Sequence, residues 1–306
     1  MSTVEVMVTA QVQQSTIVAL QRHFTVHHRE HIQDPSVLHR VRAVVCEEGS
    51  RISRDWMALL PHLDLICLTG PDAHGVDLAE AQRRQITVLP GPAVAVAERA
   101  DFAVGVLLGL CRRWPDADRF VRDGDWVDGP FPLAHRFSGL RVGLVGLGAT
   151  GQALIRRLAA FDVSGAYVAA ERVADCPWPQ APSLFALAQQ VNVLVVLDEA
   201  LAKQAGPIGG ELLGQLQAPA YVVCLVRSSV LDEASVVDAL KRKTLTGLAL
   251  DDYPEAPRVP AAWRQAPNTW VTPSMAGVTL EAQADIAQAV IQGIRQHFGV
   301  QPGSLS

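Results

Sequence analysis

The chain has 306 residues, 49% of them hydrophobic and 19% charged, and a formal net charge of −5. That composition is globular and long enough for two domains with separate cores. The acidic balance gives no general attraction to nucleic acid or to an anionic membrane, so an anionic ligand has to be held by local donors.

Five cysteines, Cys46, Cys67, Cys111, Cys176 and Cys224, are odd in number and widely scattered, with no CxxC spacing. Most lie in apolar runs, so buried free thiols in a reducing compartment are expected. The stretch MSTVEVMVTAQ lacks a basic region followed by an apolar core and reads as no signal peptide. A membrane span would need about 18 consecutive apolar residues, and no such run occurs. A cytoplasmic location is expected.

In chain order, residues 4–9 read as a strand and 12–23 as a short helix with Val12, Ile17, Val18 and Leu20 as its apolar positions. Phe24 to His27 and Val41 to Cys46 are further strands. Trp56 to Leu60 is helical, Leu63 to Leu68 a strand, Val76 to Arg84 a helix and Ile86 to Leu89 a fifth strand. Strands alternating with helices predict a parallel sheet covered on both faces. Pro90, Gly91 and Pro92 break the pattern. Val94 to Arg113 then reads as a buried helix linking two domains; Glu98, Arg99 and Asp101 interrupt it too often for a membrane span. Residues 114–139, rich in Trp, Asp, Gly and Pro, read as an extended arm and an oligomer contact.

Arg141 to Arg172 is the stretch around which the rest is organised. Val142 to Val145 is a buried strand, and Gly146-Leu147-Gly148-Ala149-Thr150-Gly151 is a GxGxxG turn. An amphipathic helix follows, with Ala153, Leu154, Leu158 and Phe161 on one face, and Gly165 to Ala169 closes the unit. This is the order a dinucleotide site needs. The first glycine allows the tight turn, the second lets the pyrophosphate approach the backbone, and the third lets helix and strand pack closely. The free N–H groups of the helix N-terminus, Ala149 and Thr150 among them, face the phosphates. Beyond it, Pro177-Trp178-Pro179 is a loop. Leu184 to Gln190 is a helix, Val191 to Leu197 a strand, Leu212 to Leu216 a helical turn and Tyr221 to Val226 a strand. Asp232 to Arg242 is a helix and Leu245 to Leu250 a strand. Pro254, Pro257 and Pro260 make a rigid loop, Thr269 to Thr272 is a last strand, and Leu280 to Phe298 is an amphipathic helix. No period of 20–50 residues repeats, which excludes a solenoid.

From Arg227 on, CLVRSSVLDEASVVDALKRKTLTGLALDDYPEAP and NTWVTPSMAGVTLEAQ resemble the C-terminal signature of the D-isomer-specific 2-hydroxyacid dehydrogenases. LRVGLVGLGATGQALIRRLAAF resembles that family's cofactor segment, and GVDLAEAQRRQITV with VAERA follows the same pattern, from Leu60 to Gln283 in unbroken order. The resemblance implies two doubly wound parallel-sheet lobes, Rossmann- and flavodoxin-like, with a cleft between them. Residues 1–95, completed by the C-terminal helix 280–306, would form the substrate lobe, and 96–279 the dinucleotide lobe. It also implies a homodimer formed through the cofactor lobes, a small-molecule substrate, and NAD or NADP as hydride carrier.

Three side chains carry the chemistry in that family: an arginine for the substrate, a histidine for the proton, and a glutamate that tunes the histidine. Hydride transfer at a carbonyl needs an acid–base within hydrogen-bond reach. Arg227 falls on the arginine, at the end of a strand where sheet ligands gather, a surface salt bridge being its other reading. Asp251 falls on an aspartate that contacts the nicotinamide amide; its other reading is capping. The histidine position is Ser274, which is no acid–base near neutral pH unaided. The glutamate position is Ala256, and the adjacent Glu255 reads as a solvated loop charge. At the ribose position stands Ala169, with Glu171 and Arg172 just beyond; Glu171 suits a ribose and Arg172 a 2′-phosphate, which leans the choice toward NADP. Leu197, Glu199 and Leu201 replace a His, Pro and Thr of the adenine pocket. In the substrate loop, Thr69 and Gly70 match, but Pro71 removes an N–H and Asp72 brings a negative charge beside the expected anion. His74, beside Asp72, is the first candidate for the proton and His135 the second. His23, His27, His28, His31 and His39 fit no metal spacing and read as surface residues, and no metal is expected. The sequence thus predicts an NAD(P)-dependent oxidoreductase with an atypical active site, or else a cofactor-binding sensor or scaffold without catalysis.

Overall fold

Alternation along single strands decides the layering. In the strand Tyr221–Arg227, the side chains of Tyr221, Val223 and Leu225 join one apolar cluster, and those of Val222 and Cys224 join another. A strand apolar on both faces has to be covered on both, which is the parallel α/β arrangement. The computed structural model describes residues 4–10, 12–47, 50–71, 73, 75–92 and 95–300. It divides into two units, Met1–Val94 with Val278–Ser306, and Ala95–Gly277.

The first unit holds β1 (Glu5–Val8), β2 (Thr25–His28), β3 (Val41–Cys46), β4 (Leu65–Leu68) and β5 (Thr87–Leu89), with helices α1 (Gln14–Gln21), α2 (Arg54–Ala58) and α3 (Leu78–Arg83). All strand pairs are parallel, in the order β2-β1-β3-β4-β5, the flavodoxin-like winding. Side chains on one face (Met7, Val44, Ile66) pack against Trp56 and Met57 of α2. On the other face Val6, Val45 and Cys67 meet Ile17 and Leu20 of α1.

The second unit opens with α4 (Val96–Arg112) and α5 (Trp114–Arg122), then β6 (Arg141–Val145), α6 (Ala149–Leu158), β7 (Ser164–Val168), α7 (Leu184–Ala188) and β8 (Val193–Val196). It continues with α8 (Glu199–Gln204), α9 (Gly210–Leu213), β9 (Tyr221–Arg227), α10 (Glu233–Lys241), β10 (Gly247–Asp252), α11 (Ala261–Gln265) and β11 (Thr269–Val271). The six strands are parallel in the order β11-β10-β9-β8-β6-β7. The order reverses between β6 and β8, and that switch point is where open α/β sheets bind ligands. The last helix, α12 (Leu280–Phe298), returns to the first unit, where Val290, Ile291 and Ile294 complete the cluster under α1. Its ends are fixed locally: Thr279 accepts from the Ala282 N–H, and Gly299 closes the helix at φ +65°.

The sequence reading departs from the structure in four places. Residues 114–139 are not an extended arm throughout. Arg113 takes a left-handed conformation (φ +56°), which ends α4 and lets α5 start again with Pro115 in its first turn, and Asp125–Val127 adds a 3-10 turn. Helices α8 and α11 were not expected, because neither carries an apolar stripe. Phe161 lies in a 3-10 turn after α6, stacked edge-on against Phe137 at 5.4 Å between ring centres. The N-terminal histidines are not all surface residues: His23, His27 and His28 are half-buried, and His27 Nε2 lies 2.7 Å from Glu5 Oε2. The five cysteines are free thiols, Cys46, Cys67, Cys111 and Cys224 buried and Cys176 half-buried. Burial alone pushes the Cys46 thiol up to about 12.

Candidate functional site

Because every strand of the second sheet runs the same way, the segments that follow β6, β8, β9, β10 and β11 share one edge of it. Gly146, Glu199, Arg227, Asp251 and Ser274 all lie on that edge.

The glycine turn has three positions with different needs. Gly146 sits at φ +97°, and a Cβ there would lie 2.5 Å from Asp198 Cβ; only glycine fits. A Cβ on Gly151 would lie 3.0 Å from the Gly146 carbonyl oxygen, so the third glycine lets α6 close on the turn. Gly148 differs. It has an extended backbone, is exposed, and a Cβ there would meet nothing within 4 Å. The protein itself does not require glycine at 148; the open space above it does, if a diphosphate fills it. Gly148 is also the N-cap of α6 and supplies no side-chain cap. The N–H groups of Ala149, Thr150 and Gly151 therefore point from the helix end without intrahelical acceptors. A turn that is tight beneath and open above, ending in uncapped donors, fits a dinucleotide diphosphate.

β7 ends at Val168. The carbonyl of Ala169 accepts from Gln180 Nε2, and Glu171 and Arg172 are exposed in the turn beyond. Among the described residues neither is held in an ion pair.

Arg227 is the last residue of β9. The register of β9 on β10 shifts there: Cys224 pairs with Leu250, but Arg227 pairs with Asp252. The extra residue in β9 re-aims the strand end. The Arg227 side chain is 55% exposed, and its Nε–H donates to Glu199 Oε2 at 2.8 Å. Glu199, in the first turn of α8, accepts on its other oxygen from Lys203 Nζ at 2.5 Å. Burial pushes the Glu199 carboxyl up, but the hydrogen bonds and charges of Arg227 and Lys203 outweigh it and hold it below the ordinary carboxylate value. The Arg227 guanidinium is held above its ordinary value by the Glu199 hydrogen bond and charge, with Asp252 adding to them. Glu199 stands where the resemblance has a proline of the adenine pocket, and its carboxylate holds Arg227.

Asp251 is buried, 5% exposed, and its carboxylate is fully engaged. Oδ1 accepts from Thr272 Oγ1 at 2.6 Å and from the Met275 N–H at 2.9 Å, and Oδ2 accepts from the Ala276 N–H at 2.8 Å. This is the capping arrangement: Asp251 ties the loop after β11 to the end of β10. Ser274 stands in that loop at φ +53°, its N–H donating to the Asp251 carbonyl at 2.7 Å and its exposed hydroxyl 3.5 Å from Asp252 Oδ1. Glu255 and Ala256 are exposed.

Asp72 and His74 lie outside the described residues. His135 is not near this edge. Its ring packs against Tyr221 at 6.4 Å, and Tyr221 is the first residue of β9, about 20 Å along the strand from Arg227 at roughly 3.3 Å per residue. Among the described residues no group of histidines, cysteines and carboxylates is arranged to hold a metal.

Comparison with known proteins bears on this edge directly. The family model described as D-isomer specific 2-hydroxyacid dehydrogenase, NAD binding domain, matches residues 104–276. Among curated proteins, a 2-ketogluconate reductase of Gluconobacter oxydans is 28% identical over 280 residues, covering 91% of this chain and 90% of the other. A glyoxylate/hydroxypyruvate reductase A of Arabidopsis thaliana is 29% identical over 258 residues, covering 84% and 82%. Among solved structures, a 2-hydroxyacid dehydrogenase from Ketogulonicigenium vulgare superposes with a TM-score of 0.90 at 28% identity over 99% of this chain and 97% of that one. An NADPH-dependent glyoxylate/hydroxypyruvate reductase from Sinorhizobium meliloti, solved with NADP and malonate, gives 0.82 at 29% identity over 98% and 95%. The matched segment contains β6, the glycine turn and every strand of the second sheet, so the chain belongs to the D-isomer specific 2-hydroxyacid dehydrogenase family, and its cofactor is NAD or NADP.

Proposed function

We propose that this protein is an NAD(P)-dependent oxidoreductase that interconverts a carbonyl and a CH–OH group, with an atypical active site. The observation that carries the reading is the pairing, on one sheet edge, of the open turn at Gly148 with the guanidinium of Arg227. In this reading 95–277 is the dinucleotide unit, and 1–94 with 278–306 bears the substrate loop. Gly146, Gly148, Ala149, Thr150 and Gly151 hold the diphosphate. Glu171 and Arg172, exposed after β7 and without an ion-pair partner among the described residues, meet the adenosine ribose, and Arg172 favours NADP.

The nicotinamide, when bound, supplies or accepts the hydride. The protein's part is to orient the carbonyl and handle its charge and proton. As the carbonyl carbon gains a hydride, its π electrons move to oxygen, and guanidinium N–H donors stabilise that charge. Arg227 has terminal N–H groups beyond the Nε–H given to Glu199. Asp251 keeps Ser274 and its neighbours in place and is a positioning residue. With serine at 274, we assign the proton on sequence grounds to His74, assisted by Asp72. The protein acts in the cytoplasm as a homodimer.

The engaged Asp251 and the paired Arg227 also favour a second reading, a cofactor-binding sensor without turnover. Fluorescence titration with NADH and NADPH, followed by absorbance at 340 nm with glyoxylate, hydroxypyruvate, 2-ketogluconate and uncharged aldehydes, separates the two. Binding of NADPH with turnover of at least one carbonyl supports the enzyme. Binding without turnover of any of them gives the sensor reading.

A further inference from the structure

The second sheet's edge carries more carboxylate around Arg227 than an anion site should. Glu199 takes the Nε–H at 2.8 Å, and Asp252 is its register partner on β10. Lys203 is the other cation of the cluster, and it is committed to Glu199 at 2.5 Å. Arg227 is thus bonded to one carboxylate, Glu199, and acted on by the charge of a second, Asp252, while Lys203 is bonded to Glu199. Glu199 is the carboxylate that bonds Arg227 directly: its side chain is 20% exposed and both its oxygens are held.

We infer that Glu199 is a specificity-determining residue that tunes the Arg227 subsite toward uncharged carbonyl substrates and against 2-oxo acids. This rests on the reading of Arg227 as the substrate-side guanidinium. A free carboxylate approaching Arg227 meets Glu199 beside it, and like charges at such range disfavour each other. A neutral ester, amide or hydroxyl group meets no such penalty and still takes hydrogen bonds from the terminal nitrogens. Glu199 fixes Nε and leaves those nitrogens for the ligand, so the guanidinium keeps its orientation while losing its pull on anions. Specificity here comes from a built-in repulsion as well as an attraction.

The test uses Glu199→Gln, which keeps a carbonyl acceptor for the Arg227 Nε–H and removes the charge, with Glu199→Ala as a second variant. Oxamate, a non-reducible carboxylate, is titrated calorimetrically into NADPH-saturated protein. Methyl pyruvate and pyruvate, which differ chiefly in charge, are compared as substrates. Glu199→Gln is expected to tighten oxamate by roughly fivefold, the effect of a half-exposed ion pair. It should shift the ratio of kcat/KM for methyl pyruvate over pyruvate toward pyruvate by a similar factor. Adding Arg227→Gln should abolish the gain. Unchanged, weaker or absent oxamate binding in both variants overturns the inference, and so does a gain that survives Arg227→Gln. Failure of the underlying oxidoreductase reading shows itself separately, as binding of NADPH with no turnover of either ester or acid by any variant while oxamate still reports on the subsite.

Discussion

Two glycines of the same turn make opposite demands, and they can be tested separately. Gly146 carries φ +97° and lies against Asp198, so Gly146→Ala brings both strain and a clash and should lower unfolding stability by about 2 kcal/mol or more. Gly148 is free of both constraints. Gly148→Ala should leave the urea midpoint where it is and weaken NADPH binding on the order of tenfold, about 1.4 kcal/mol. Unimpaired NADPH binding by Gly148→Ala, in a protein that unfolds normally, would remove the diphosphate from that turn. The tight turn at Gly146 and the close approach at Gly151 were legible in the sequence because a glycine motif is local: six consecutive residues between a strand and a helix determine it. The partner of Arg227 was not legible. Glu199 lies 28 residues earlier and meets Arg227 only because β8 and β9 are parallel neighbours whose ends share an edge. Nothing in the spacing of two charged residues encodes that.

At the scale of elements, the strands and the long helices could be read because burial imposes a period on them. Val290 and Ile294 of α12 recur at helical spacing, and β9 alternates between two cores. Helix α8 escaped because EALAKQ buries only Ala202. What forms it is polar and short-range: Asp198 accepts from the Leu201 N–H at 2.9 Å, and Glu199 and Lys203 pair across one turn. The loop after β11 is another polar construction. Its conformation, including Ser274 at positive φ, hangs on the Asp251 carboxylate, which satisfies the Met275 and Ala276 N–H groups and the Thr272 hydroxyl. Asp251→Ala leaves a buried donor at Ala276 unsatisfied and should cost about 3 kcal/mol in urea unfolding. Asp251→Asn, which retains acceptor capacity on one oxygen, should cost less. If Asp251 served the nicotinamide instead, both variants would lose NADPH affinity with unfolding midpoints close to the original.

For the whole molecule, the feature left to account for is the apolar surface of residues 114–133. Trp126 is 66% exposed, Val127 91% and Leu133 98%, with Trp114 at 51%. Val121 of α5 adds 54%; single exposed apolar residues are ordinary, but five within twenty positions of one another, on a segment whose helix α5 buries none of its own side chains, are apolar surface that calls for a cover. Beside it lies a recess of about 1090 Å³ lined by Arg113, Leu133, His135, Tyr221 and Trp270 among others. A projecting apolar segment next to a recess on the same unit is what a two-fold interface needs, since each copy can offer both parts to the other. In the proposed homodimer this surface is where a second copy of the chain would sit. Light scattering after gel filtration should give twice the chain mass of 32.9 kDa. Val127→Glu with Leu133→Glu should return the single mass. Both side chains are almost fully exposed in the isolated chain, so the charges should change monomer stability by no more than about 0.5 kcal/mol, and a normal circular dichroism spectrum would confirm an intact fold. A wild-type protein that runs at the single mass at tens of micromolar, or a doubly charged variant that keeps twice the mass, would place the contact elsewhere or rule it out.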